Sequence, residues 1–359
     1  MTSNTKLRLF PACYVEFPPY VEGRSATFFL AAEEYVAQHF LPVGEESQDA
    51  ISAYLFTWQL RPTVVMGRNQ VAHQEVDLAF CEKEGIEVVR RKSGGGAIFA
   101  DERNIMTSLV TGEGSVEPLF QAYASAVSAA LNTLGATTEV SGRNDILLHY
   151  EKEGEESVGK ICGNAFYHLS HCNIVHGTML YDTNPRLMQG ALHPDLSKLQ
   201  SAGVKSVRSR VALLKDVLPF GVTELRAHLR CLLTNRSIEL TDEDVRRIEE
   251  IEREYRSQEF LYGRKADYNS VIRQRISGVG TLEVQLSLHN GVVQQLHLMG
   301  DFFQQEGNAE ALFQQAFVSH PFTPTVIRER LAAVHPERSI RNLTPDALAA
   351  MLIDPNAPH

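Results

Sequence analysis

The apolar positions of this chain change period along its length. Ala26 to Phe40 and Leu119 to Leu134 carry apolar residues at helical spacing. Thr63 to Met66, Glu87 to Arg90 and Asn173 to Tyr181 are short apolar runs rich in β-branched residues and read as strands. Irregular alternation of this kind predicts an α+β fold, a mixed sheet with flanking helices. Thr241-Asp242-Glu243-Asp244 has the chemistry of a helix start. The following Val245 to Tyr255 carries opposite charges four residues apart, the mark of an exposed helix. After about residue 265 the pattern becomes a hairpin: Leu282, Val284, Leu286 and Leu288 alternate, Asn290-Gly291 turns, and Val292 to Met299 returns. Helical stretches follow at Asn308 to Val318, Thr323 to Val334 and Thr344 to Ile353, the last two opening on Thr-Pro. The expected organisation is a large domain over 1–265 and a small α+β accessory domain over 266–359.

Composition narrows the class. With 43% hydrophobic and 22% charged residues over 359 positions, the chain has ordinary globular usage and enough length for two domains. Five cysteines without paired spacing argue against a disulfide framework and for a reducing compartment, so the cytoplasm is the expected location. No apolar run approaches the ~20 residues of a membrane span. A net charge of −10 argues against nucleic acid as the main partner.

The chemistry concentrates in three segments. Arg90-Arg91-Lys92-Ser93-Gly94-Gly95-Gly96-Ala97-Ile98-Phe99 sets cations beside three glycines. Such a backbone can approach an anion closely and line it with N–H groups, which suits a nucleotide or acyl phosphate; a plain turn is the alternative. No Gly-Lys-Ser/Thr ends the loop and no G-x-G-x-x-G opens a helix, so a P-loop kinase and a Rossmann dehydrogenase are disfavoured. Ser141 to Leu148 and Val158 to Ala165 follow, then His176-Gly177-Thr178-Met179-Leu180, each read as a strand interrupted by glycine. Lys160, between Gly159 and apolar strand formers, would point its amine into a cleft or out to solvent. Cys162, two residues on, is expected on the same strand face as Lys160, where a cation would favour a thiolate nucleophile; a small buried hydrophobe is the alternative. Cys162, His168, His171, Cys172 and His176 lie close in sequence but lack paired metal-ligand spacing, so zinc is disfavoured.

Taken together, these segments resemble the biotin/lipoate ligase family, and within it the bacterial lipoate-protein ligases. The resemblance also rests on Leu30-Ala31-Ala32-Glu33-Glu34, Val64 to Gln70, Gly142-Arg143-Asn144-Asp145 and Val204 to Val211. It implies a catalytic domain, a small accessory domain that rotates between half-reactions, and a two-step reaction. Lipoate and ATP give lipoyl-adenylate and pyrophosphate; the acyl group then passes to a lysine of lipoyl domains of 2-oxoacid dehydrogenase E2 subunits or of the glycine cleavage H protein. By the same resemblance, Arg91 and Gly96-Ala97-Ile98-Phe99 match ATP-contacting positions, and Lys160 matches the central lysine that touches carboxylate and α-phosphate. The binding set is completed by Ser93, Gly94, Gly95, Gly163, Ala165, His176, Gly177 and Thr178. Magnesium is expected with the nucleotide, with Asp145 as candidate carboxylate and a hydrogen bond within its own loop as the alternative. Lys198, Lys205, Arg208 and Arg210 would dock an acidic acceptor or form a solvated loop.

Two positions depart from the family pattern: Ala100, where relatives commonly carry histidine, and Phe29, where they often carry asparagine. The second leaves the acyl chain length open. Two other classes stay open beside the ligase: an ATP-independent lipoyl or octanoyl transferase, and a non-catalytic lipoate-binding module.

Overall fold

The computed structural model describes residues 12–41, 53–112, 116–141, 145–152, 154–169, 172–193, 211–262, 268–305 and 307–354. The segments around Gly142-Arg143-Asn144, His171 and 194–210, with the basic stretch Lys198 to Arg210, lie outside these residues. Contacts divide the chain into two units: Met1–Val65, Val76–Val89 and Ile98–Ser257 form one, while Met66–Glu75, Arg90–Ala97 and Gln258–His359 form the other. The glycine-rich stretch and the segment after Met66 thus group with the C-terminal residues.

The first unit is built on β1 (Ala12–Glu16), β2 (Ala53–Trp58), β6 (Asn104–Gly112), β7 (Thr137–Val140), β8 (Asp145–Lys152), β9 (Glu155–Leu169), β10 (Cys172–Leu180) and β11 (Arg236–Glu239). They form one eight-stranded sheet in the order β11-β1-β2-β6-β10-β9-β8-β7. Pairing is parallel for β1 with β2 and β11 and antiparallel across the pairs from β2 to β7, so the sheet is mixed. A smaller sheet runs in the order β4 (Glu87–Arg90), β3 (Thr63–Met66), β5 (Ile98–Ala100).

Helices cover both faces of the large sheet. Ser108 meets Glu33 of α1 (Ala26–His39), and its neighbour Thr107 meets Tyr123 of α2 (Val116–Thr133). Consecutive strand residues face opposite sides, so α1 and α2 lie on opposite faces. On the α2 side, α3 (Val222–Leu233) anchors Arg226 to the Thr57 hydroxyl at 2.8 Å. Helix α1 is buried nearly all round, because α4 (Asp242–Tyr255) packs on its outer side. α4 opens with a Thr241/Asp244 capping box. Its charged face is exposed, as read from the sequence, while Val245, Ile248, Glu252 and Tyr255 are buried against the fold. Two buried polar links tie the helices together: Thr27 donates to Glu252 at 2.7 Å, and the Tyr255 hydroxyl donates to Glu34.

The second unit contains an antiparallel sheet, β12 (Ser270–Ile276), β13 (Gly280–His289) and β14 (Val292–Gly300), and α5 (Ala309–Phe317), α6 (Pro324–Val334) and α7 (Pro345–Ile353). The hairpin turns at Asn290 (φ 52°) and Gly291 (φ 74°), the pair of positive φ values that a two-residue turn of matching twist demands. Leu282, Leu286, Val293, Phe313, Leu331 and Met351 belong to one apolar core.

Candidate active site

Each unit carries one group of the expected residues. In the second unit, the two arginines of the glycine-rich stretch turn inward. Arg90, 4% exposed, donates to the carbonyls of Gly67 (2.9 Å), Arg68 (2.8 Å) and Gln70 (2.7 Å), and its Nε to that of Leu261 (2.8 Å). Burial pushes its guanidinium down to about 10. Arg91 donates from Nε to the Ser93 hydroxyl (2.9 Å) and from Nη2 to the carbonyls of Gly94 (2.7 Å) and Gly96 (2.9 Å). These cations therefore shape the loop: carbonyls are drawn to the guanidinium side, and Gly95 adopts φ +90°, which suits glycine. A Cβ on Gly67 would lie 2.0 Å from the Gly95 carbonyl oxygen, so the two segments meet at a distance only glycine permits. The Gly95 N–H donates to the Phe302 carbonyl at 3.3 Å. Beyond Ala97 the chain enters β5 of the first unit, where Ile98 pairs with Val65 and Phe99 with Val64.

The second group lies on the α1 face of the large sheet. Register makes a row of directly opposed residues across five strands: Asp145, Gly163, Thr178, Met106 and Trp58. Opposed residues share a face, so these side chains point the same way. From Gly163 to Trp58 the row crosses three strand spacings, about 14 Å. Next to it runs Ala165, His176, Ser108 and Phe56. Above the rows, Glu33 accepts from the Ser108 hydroxyl at 2.6 Å and lies 3.0 Å from His176 Nδ1, while the Trp58 indole N–H donates to Ser108 at 2.9 Å. The sequence pattern alone assigns no role to Glu33, Ser108, Trp58 or Met106. The available signal was a glutamate pair on an otherwise apolar helix; its partners are far away in sequence.

Lys160 joins this face through a β-bulge. The β8/β9 register shifts at Ile146/Leu147, so Ile161 is the extra residue: Cys162 sits opposite Ile146 and Lys160 opposite Leu147. Ile146 and Leu147 are neighbours and face opposite sides, so Lys160 and Cys162 do too. The expectation that they share a face is corrected here; simple alternation fails where a residue is inserted. Lys160 extends over Gly163, where a Cβ would be 2.6 Å from its Nζ, and pairs with Asp145 at 2.7 Å. Asp145 thus has the lysine as its ion-pair partner. Cys162 lies on the α2 side, 1% exposed, with burial pushing its thiol up to about 12; Asn164 and Gly177 share that side. Of the cysteine and histidine cluster, His168 bonds Asn173 at 2.8 Å and His176 bonds Glu33. Among the described residues no three His, Cys, Asp or Glu gather to hold a metal ion.

Residues 25–233 match the lipoyl protein ligase A/B catalytic domain, and residues 265–352 the bacterial lipoate protein ligase C-terminus. The chain belongs to the lipoate-protein ligase A/B family. It is 32% identical over 326 residues to a lipoate-protein ligase, LplJ of Bacillus subtilis, covering 88% of this chain and 93% of that protein. In fold it is similar to Plasmodium falciparum LipL1, solved in complex with lipoate, with a TM-score of 0.71 and 14% identity, covering 92% of this chain and 96% of the other. It is also similar to a lipoate-protein ligase A bound with ATP, with a TM-score of 0.56 and 22% identity, covering 71% of this chain and 99% of the other. This family member is therefore an enzyme with a large mixed-sheet catalytic domain and a small C-terminal domain of three antiparallel strands and helices. Among the described residues no helix is long and apolar enough to cross a membrane.

Proposed function

We propose that this enzyme activates lipoate with ATP to lipoyl-adenylate and transfers the lipoyl group to a lysine of lipoyl domains of E2 subunits or of the H protein. The observation that carries the reading is the bulge at Ile161. It delivers the Lys160 amine to the face of the acyl row and sends the Cys162 thiol to the other. A transferase working through a cysteine needs an accessible, readily ionised thiol; a buried thiol raised to about 12 opposes that role.

On this reading the carboxylate of the acid meets Lys160, and the chain runs along Thr178 and Met106 toward Trp58, medium in length and largely apolar. Bringing a carboxylate against an α-phosphate requires a cation between two anions, and a pre-oriented cation at that point is a large catalytic term. Asp145 holds the Lys160 amine over Gly163, so little reorientation is needed when substrates arrive. ATP as substrate is assigned to the Arg91-shaped loop of Ser93 to Ala97, with Ile98 and Phe99 beyond it. Magnesium is assigned to the nucleotide's own oxygens, with Asp145, which also pairs with Lys160, as the candidate protein carboxylate.

The test is pyrophosphate release from ATP, with lipoate, octanoate or biotin, in the presence and absence of a lipoyl domain. Lipoate-dependent release, lowered about 100-fold or more in Lys160→Ala, is expected. Absence of release, with lipoyl transfer still seen from preformed lipoyl-adenylate, would make the enzyme a transferase. Near-normal adenylation by Lys160→Ala would remove the lysine from the chemistry.

A further inference from the structure

The acyl row ends at Trp58, yet the protein does not become solid there. A cleft of about 550 Å³ opens behind Trp58, lined by Phe29 and Trp58 themselves and by Val15, Phe17, Pro18 and Val21. That volume lies within the range of small-molecule sites. The Trp58 ring is stacked on that of Phe29, with centroids 4.9 Å apart and planes at 18°. The two are 1% and 4% exposed. Trp58 is tethered by its indole N–H to Ser108. Phe29 has no polar tether and is held edge-on by Phe17 at 5.6 Å and Phe28 at 5.5 Å. The cations at the cleft are engaged: Arg226 with Thr57 and Gln59, and Arg230 with Glu16 while lying over the Tyr14 ring. Glu16, Glu22, Gln59, Arg226 and Arg230 make up the polar side of the cleft, while the side next to Phe29 is an apolar wall, which suits a chain end better than a second anion.

We propose that Phe29 ends the acyl row and sets the longest acyl chain the site accepts, the cleft behind it being a continuation that its ring closes. The inference rests on the ligase reading for what lies along the row. The partition itself rests on the stack and the cleft.

Two measurements test it with the full-length enzyme. The first is the ratio of kcat/KM for dodecanoate to that for octanoate, read by pyrophosphate release in wild type, Phe29→Ala and Phe29→Leu. The ratio should rise roughly tenfold or more in Phe29→Ala, about what burying two further methylenes is worth, and rise in the same direction in Phe29→Leu, which keeps a folded core if alanine does not. An unchanged ratio in a folded variant, or a wild type that already handles both acids equally, overturns the proposal. The second needs no nucleotide. Trp58 is the chain's only tryptophan, so its fluorescence reports dodecanoate binding directly. A saturable response in the variants and none in wild type is expected; the absence of a response in the variants overturns the partition. If wild type releases no pyrophosphate with any acid while the variants still respond by fluorescence, the ligase reading fails and the partition stands.

Discussion

Replacing Gly163 by alanine probes the position of Lys160 without touching the lysine. Gly163 is not among the positive-φ residues, and an alanine on a strand is conformationally ordinary there. Its Cβ would lie 2.6 Å from Lys160 Nζ and 2.8 Å from Cε, with ordinary contact beginning at 3.4 Å. The amine, the free end of a flexible side chain, has to retreat by about 0.8 Å. If the 2.7 Å pair with Asp145 lengthens by the same amount, the Coulomb term weakens by about 1.4 kcal/mol at an effective dielectric of ~20. The side chains are 36% and 28% exposed, so solvent screening reduces this to a few tenths of a kcal/mol. The melting temperature should therefore stay within about 2 °C of wild type. Catalysis is less tolerant, because misplacing a reacting group by about 1 Å costs on the order of 100-fold. Single-turnover adenylation with lipoate and ATP should slow about 10- to 100-fold in Gly163→Ala. A folded variant within twofold of wild type would refute the claim that Lys160 works from above Gly163.

Three further outcomes are expected. Of the five cysteines, only exposed Cys231 should react promptly with a disulfide reagent in the native protein, since burial raises the Cys13, Cys81, Cys162 and Cys172 thiols; Cys162→Ser should retain most adenylation, and prompt labelling of Cys162 would contradict both expectations. Gly67→Ala forces a Cβ to within 2.0 Å of the Gly95 oxygen, backbone against backbone, so it should cost about 1–3 kcal/mol of stability and raise the KM for ATP more than that for lipoate. In the second unit, the hydrogen bond to Glu310 raises the His297 pKa; its stabilisation is fully present below about pH 6.5 and is lost as pH rises through the raised value. His297→Gln should therefore lower the melting of that unit more at pH ~5.5 than at pH ~8, and an equal loss at both would refute the linkage.

Local structure was legible wherever local chemistry decides it. The strands Thr63–Met66 and Glu87–Arg90 fall where β-branched runs placed them, and Asn290-Gly291 turns the hairpin because those residues accept positive φ. Ser270–Ile276 went unread, as its polar and apolar positions alternate too weakly to mark a strand. The glycine-rich stretch was legible as a loop of special backbone, but the inward turn of Arg90 and Arg91 was not: a cation beside glycines looks the same whether it meets a phosphate or a carbonyl. The Glu33, Ser108, His176 and Trp58 network joins residues up to 143 positions apart through the pairing of three strands, which no window along the chain contains.

The extra residue in β9 sets which side chains share a wall of the sheet. Lys160 and Cys162 would be side by side if the strand were regular; one inserted backbone unit keeps amine and thiol on opposite walls. On the proposed reading, a kink in the main chain, and no change in the list of side chains, keeps the sulfur away from the wall on which the lysine works. With the same side chains on a smooth strand, amine and thiol would share one wall, so in this protein main-chain register as well as residue identity decides what lies beside Lys160.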